Sequence, residues 1–403
     1  MSTHAVTESN PHEPTSFTRV AMLGMCMSFV AIGALQALYG PAVPSMQGRY
    51  DISSGQVGLA LSIHFVGALL GVLCTPRLRP IGNRRFLVIS LVTIVIGCLG
   101  FASAPSWTLA LIAAFVAGVG FGWIDVGVNE LFLEYYGTNA TGKLNLLHGN
   151  FGAGAVLAPL LVGALPGGWY FLAFVVCGFM SLVVLATVKG VSGGPPKVST
   201  AAVRWAAIGR MTALFMIFFV LHVGVESGVG GWETSHLVSL GWAAGPAAMA
   251  TSVFWLAMTG VRFAISPIAR FFSTQRILLT SLVVMVVGLL VAHWAPAAPL
   301  GYLLAGLGVG PLFPTGLVWL TEKLPGVPGV TSYVIAVSMI GGVLPSAVGA
   351  SVEQWGPGAI PTALTVMAVG CLAVAVVIKV LPALKTPQAP ATETAGVAEQ
   401  TSS

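Results

Sequence analysis

The chain has 403 residues, of which 56% are hydrophobic and 7% charged, with a formal net charge of +5. Soluble domains carry roughly 25% charged residues, so this chain lacks the polar surface that a soluble enzyme, a nucleic-acid binder or a disordered protein needs. Its mean hydropathy of +0.92 assigns most of it to lipid.

A helix needs roughly 20 apolar residues to cross a bilayer. Between a polar tail at 1–17 and a disordered one at 384–403, apolar runs fall at 18–44, 54–74, 86–104, 107–133, 144–165 and 169–188. They resume at 211–233, 247–267, 277–293, 299–321, 331–353 and 361–381. The expected class is an all-α membrane protein of about twelve helices. The polar break 189–210, with SGGPPK and four basic residues, reads as a cytoplasmic linker between six-helix bundles at 18–188 and 211–383. The opening tail does not resemble a signal peptide.

Few polar groups interrupt these runs, and each is costly in lipid unless it is paired or faces water. The first helix carries Gln36 and Tyr39 in ALQALYGPAVP, both able to hydrogen-bond a hydroxylated ligand. His64 interrupts the second helix, and its facing is open. A basic turn follows, with Arg77, Arg79, Gly82, Arg84 and Arg85, and its role reads either as gating and structural or as purely topogenic. In the fourth helix Gly118, Gly122, Asp125 and Asn129 share one stripe, as suits a helix lining a cavity. A carboxyl placed there can take up and release a proton. The alternative is a buried Asp125 bonded to a neighbouring helix.

The fifth helix opens on LNLLHGNFGAG. Asn145 and His148 share a face there, with Asn150 about 160° away from His148. In the seventh, His222 and Glu226 stand one turn apart, and Gly230-Gly231 permits local unwinding beside Trp232. Trp232 reads either as a substrate contact or as an interfacial anchor, and Glu233 is expected at the water boundary. Arg262, near the inner end of the eighth helix, is within snorkelling reach of the interface and suits a structural or gate-bonding role. AGVGFG at 117–122 returns as AGLGVG at 305–310, a faint internal repeat that points to bundles related by a pseudo-two-fold axis.

Charge tests this map. With both termini inside, all of the 17 Lys and Arg except Arg49 and Arg262 fall on one side, as the excess on cytoplasmic loops requires. The five cysteines lie in or at the ends of apolar runs and read as packing residues. No metal or cofactor is expected, and without a nucleotide-binding motif or a nucleophile cluster neither ATP-driven transport nor an enzyme is indicated.

Twelve helices in two sixes with this basic turn resemble the major facilitator superfamily. The turn matches its Gly-x-x-x-Asp-Arg-x-Gly-Arg-Arg signature at Gly82, Arg84 and Arg85 and departs from it at Arg79, which stands where the family has Asp. The series Asp125-x-x-x-Asn129, LNLLH and Glu226 with Gly230-Gly231-Trp232 is similar to the fucose permease branch of sugar–proton symporters and related glucose transporters. That resemblance implies uptake of a sugar-like small molecule with protons by a multi-pass protein of the bacterial cytoplasmic membrane, acting as a monomer. It implies proton coupling at Asp125, and sugar contacts from polar residues of helices one, four, five and seven: Gln36, Tyr39, Asn129, Asn145, His148 and Trp232. The acidic residue of the branch's broken first helix is missing here, so Asp125 acts alone, Glu226 contributes from the other half, or transport is uncoupled. The alternative function is proton-coupled export of a drug or metabolite. Against it, the fourth helix has no Arg and the fifth has Ala158-Pro159 where such antiporters carry Gly-Pro.

Overall fold

The computed structural model describes residues 15–137, 140–193, 209–268, 270–325, 327 and 330–383. Most of the expected tails, at 1–14 and 384–403, and the linker stretch 194–208 with Lys197 and Arg204 lie outside the described residues. Among the described residues, twelve segments are helical, long and apolar enough to cross a membrane.

The first bundle comprises α1 (Arg19–Tyr50), α2 (Ser54–Leu78), α3 (Asn83–Ser103), α4 (Trp107–Tyr136), α5 (Ala140–Ala164) and α6 (Phe171–Leu185). The second begins with α7 (Arg210–Ser239), α8 (Ala244–Ile268) and α9 (Thr274–Val291). Its tenth span is the pair α10 (Ala298–Val309) and α11 (Leu312–Lys323), and its eleventh the pair α12 (Val330–Ser338) and α13 (Pro345–Trp355). The last is α14 (Ala359–Val380). Helices satisfy every backbone group within the segment, which lipid demands. Their starts are closed by side chains: Thr18, Ser53, Ser106 and Ser273 each accept from a backbone N–H of the first turn. Gln56 completes a capping box at Ser53.

Pro311 and Pro345 explain the two broken spans, because proline lacks the N–H that continues a helix and its ring crowds the preceding turn. Sequence hydropathy merges each pair into one run. The reverse holds in α7, which is continuous through Gly230-Gly231, where unwinding was expected. A β-carbon on Gly40 would run into the Gly230 carbonyl oxygen, so these glycines serve a close crossing of α1 and α7.

Within the bundles, α4 packs on α2 and α3 as α10 packs on α8 and α9. Between them, α1 meets α7, α5 meets α8 and α2 meets α13. A two-residue ribbon adds a tie that hydropathy does not reveal: β1 (Ser16–Phe17) pairs antiparallel with β2 (Val191–Ser192). It holds the entry of α1 to the exit of the first bundle, on the face where the described chain starts and ends, called here the terminal face.

At the opposite face the bundles are joined. Ser53 Oγ and the Gly55 N–H each donate to Glu353 Oε2 at 3.1 Å. Deeper, Ser62 Oγ donates to the Val343 carbonyl at 2.8 Å and accepts from the Ser346 N–H at 3.0 Å.

Candidate functional site

A cavity of about 490 Å³ lies between the bundles. Gln36 of α1, Asp125 of α4 and Glu226 of α7 line it at mid-depth. Asn145, Ile265, Leu317 and Ile335 line it nearer the terminal face. Phe65, Phe121 and Phe313 supply aromatic wall.

The acidic groups come from different bundles. Asp125 accepts from Asn129 Nδ2 at 3.2 Å on Oδ1, and the same amide donates to the Asp125 carbonyl at 2.8 Å. Among the described residues no cationic group stands within ion-pair distance of Asp125. Glu226 Oε2 is 3.6 Å from His222 Nε2 and 3.8 Å from Arg262 Nη2, both too long for a direct hydrogen bond. The Gln36 amide lies alongside the same carboxyl. Arg262 Nε donates to the Gly310 carbonyl at 3.1 Å, which ties this cation to the break between α10 and α11. The loose pair leaves hydrogen-bonding capacity on both Glu226 and Arg262 for a guest.

Six of the residues singled out in the sequence meet at this cavity: Gln36, Asp125, Asn145, His148, Glu226 and Arg262. His148 is exposed to it, its ring edge-on to Phe29 at 5.5 Å. Asn150 bonds its own helix at the Leu146 carbonyl, 2.8 Å away.

Several expectations are corrected. Tyr39 and Trp232 do not line the cavity. Tyr39 is buried against His64, 3.3 Å from its Nδ1, and Trp232 Nε1 donates to the Pro345 carbonyl at 2.8 Å. The Trp232 ring fills the space left by Gly58 and Gly349, so it seals the seam between the bundles instead of standing at the water interface. Asn129 addresses Asp125 and is not part of the lining. Arg262 points inward, drawn by Glu226 and the free Gly310 carbonyl, and does not snorkel to the interface. Glu233 is buried, 1% exposed, because α7 continues to Ser239.

The basic turn is separate from the cavity. Arg79 is buried and donates from Nε to Glu130 Oε2 at 2.8 Å and from Nη1 to Asn83 Oδ1 at 3.3 Å. Its guanidinium also lies 4.7 Å from the Phe86 ring centre. Gly82 takes φ +93°, and Arg84 and Arg85 are exposed. Sequence reading missed Glu130, Thr259 and Ser338. The last two line the cavity, and Thr259 Oγ1 is buried without a partner. Thr259 lies one turn before Arg262, and that shared face was the available signal.

Two pseudo-symmetric six-helix bundles, joined at one face and enclosing a largely apolar cavity with a few polar and charged groups at mid-depth, define a membrane transporter of the two-bundle class. The chain belongs to the Major Facilitator Superfamily, whose sequence model matches residues 24–270. It is 22% identical over 345 residues to a glucose/mannose transporter of Bacillus subtilis (strain 168), covering 78% of this chain and 84% of that protein. It is 25% identical over 349 residues to sodium-dependent glucose transporter 1A of Mus musculus, covering 74% and 81%. Among solved structures, a D-xylose–proton symporter superposes with TM-score 0.75 at 13% identity, over 89% of this chain and 97% of that one. The nucleoside transporter NupG does so with TM-score 0.71 at 12% identity, over 90% and 98%.

Proposed function

We propose that this transporter takes up a sugar or sugar-like polyol together with protons by alternating access. The observation that carries the reading is the convergence of Asp125 and Glu226, one carboxyl from each bundle, on a single cavity. The relatives named for glucose, mannose and xylose support the substrate class.

In this reading Gln36, Asn145 and His148 hydrogen-bond the hydroxyls, and the phenylalanine wall covers the apolar faces of the ring, as mixed polar and aromatic pockets do. Asn129 orients Asp125. A proton arriving on Glu226 removes the charge that holds Arg262, whose Nε remains on the Gly310 carbonyl. Proton binding is then felt in the wall made by α10 and α11. Trp232 acts in the seam that closes the opposite face, while Tyr39 packs inside the first bundle against His64, Phe101 and Phe174. Arg79 is a structural clasp, while Gly82, Arg84 and Arg85 hold the turn in the cytoplasm.

The segregated Lys and Arg support cytoplasmic termini in a bacterial cytoplasmic membrane. The bodies that move are 18–188 and 211–383, joined by 189–210, in a chain that acts as a monomer.

The test uses liposomes carrying the purified protein and labelled glucose, mannose or xylose. An inward proton gradient drives accumulation in the wild type, and Asp125→Asn keeps sugar exchange but loses accumulation. Undiminished accumulation by that variant contradicts the reading.

A further inference from the structure

Glu233 is a second carboxyl on the face of α7 that carries Glu226, seven residues further on, two turns and about 10 Å along the axis. It has no place in the cavity, whose lining stops at Glu226 on that side. Its side chain is 1% exposed, and Oε2 has no hydrogen-bond partner. Among the described residues no Lys, Arg or His stands within ion-pair distance of it. An ionised carboxylate in such a place is costly, so the natural occupant of the free oxygen is a proton.

The polar groups beyond it lie toward the face opposite the termini. Glu233 lies one turn before His236 on α7, and the Tyr302 hydroxyl of α10 reaches that turn. That hydroxyl is 2.8 Å from His236 Nδ1, one turn further along α7. His293, just beyond α9, places Nε2 3.2 Å from Thr362 Oγ1 at an exposed site of α14. From α8 come only uncharged groups: Thr251, bonded to Thr234 at 2.9 Å, and Ser252, whose buried Oγ has no partner. Glu233 sits six residues before the end of α7, about 9 Å from the opposite face.

We propose that Glu233 is a second proton-binding site, loaded from the face opposite the termini through His293, His236 and Tyr302. His236 accepts a proton on Nε2 and passes its Nδ1 hydrogen to the Tyr302 oxygen, as Tyr302 passes its own hydrogen to Glu233. Afterwards imidazole and phenol each carry as many hydrogens as before, the imidazole now as its Nε2–H tautomer, and the carboxyl has gained one; return of the Nε2 hydrogen to the bath and of a hydrogen to Nδ1 resets the relay. The use of this proton in transport rests on the coupling proposed above; its binding does not.

Infrared difference spectra of the purified full-length protein, recorded without sugar as bath pH is stepped, test the site. A carboxylic C=O band is expected that changes with bath pH, shifts in deuterated buffer and disappears in Glu233→Gln. Glu233→Asp, which moves the band without removing it, assigns it should the Gln variant fail to fold. Tyr302→Phe is expected to keep the band and slow its deuterium exchange. A Glu233 band indifferent to bath pH and to deuterium, or exchanging at an unchanged rate in Tyr302→Phe, overturns the proposal. Failure of sugar-linked proton uptake with this band behaving as expected would count against the transport reading alone.

Discussion

Gly118 and Gly306 meet the same kind of neighbour in the two bundles. A β-carbon on Gly118 would strike the His64 carbonyl of α2, and one on Gly306 the Phe254 carbonyl of α8. Four residues on, Gly122 and Gly310 repeat the contact with Ala68 and Met258, while Gly120 and Gly308 face α3 and α9. The repeated AGVGFG and AGLGVG segments are therefore one packing device used twice. Small residues let helix backbones approach where lipid gives no hydrophobic drive to associate.

Overpacking such a contact costs about 1–3 kcal/mol. Gly118→Ala is expected to lower the thermal midpoint in detergent clearly. Gly260→Ala, where a β-carbon meets open space, is expected to leave it unchanged or slightly raised. Equal loss in both would show that the close crossing is not what the first glycine serves.

Arg79 stands where the family's signature has Asp, and Glu130 explains how the turn tolerates it. Deleting one member of a buried pair costs about 3–5 kcal/mol; with side-chain exposures of 6% and 24%, this pair belongs near the lower end. Glu130→Ala is expected to destabilise by about 3 kcal/mol. Arg79→Asp, which restores the signature's acid, places two carboxylates together and is expected to fall further than Arg79→Ala. Thermal unfolding of the three variants checks the order.

Glu353 closes the opposite face by accepting from the first turn of α2, where the helix dipole favours an anion. Glu353→Gln removes about 0.3–1 kcal/mol of that attraction. The closed-to-open ratio is expected to fall by roughly two- to fivefold, the equilibrium equivalent of that loss. Distances between spin labels at the ends of α2 and α13 report it; an unaltered distribution would remove Glu353 from the closure.

Trp232 is expected to behave as a seal. Trp232→Phe loses the bond to Pro345, a cost of about 1 kcal/mol, and is expected to lower thermal stability while sugar affinity stays as in the wild type. A large loss of affinity without loss of stability would return Trp232 to the ligand.

Hydropathy and the side-specific placement of Lys and Arg made the twelve spans legible, because lipid leaves helices almost no alternative. Asp125 was legible for the same reason: a carboxyl in an apolar run needs an explanation. Asn145 and His148 followed from shared periodicity. Periodicity gives a face and not the neighbour across it, and this is why Trp232 and Tyr39 were misplaced. The Pro345 carbonyl and the glycines that receive the indole lie more than a hundred residues away or on another bundle. Ser338 was hidden by habit, since serine in a helix usually bonds its own backbone, as Ser338 does at the Ile335 carbonyl. Glu233 was misjudged because the end of α7 lay six residues beyond the polar signal.

The most direct measurement is internal pH in liposomes, followed as sugar is added without any imposed gradient. The account predicts acidification of the interior as sugar enters through the wild type, and sugar entry without acidification through Asp125→Asn. Acidification of equal size through both would contradict it, because the carboxyl that Asn129 holds at the cavity would then have no part in moving the proton.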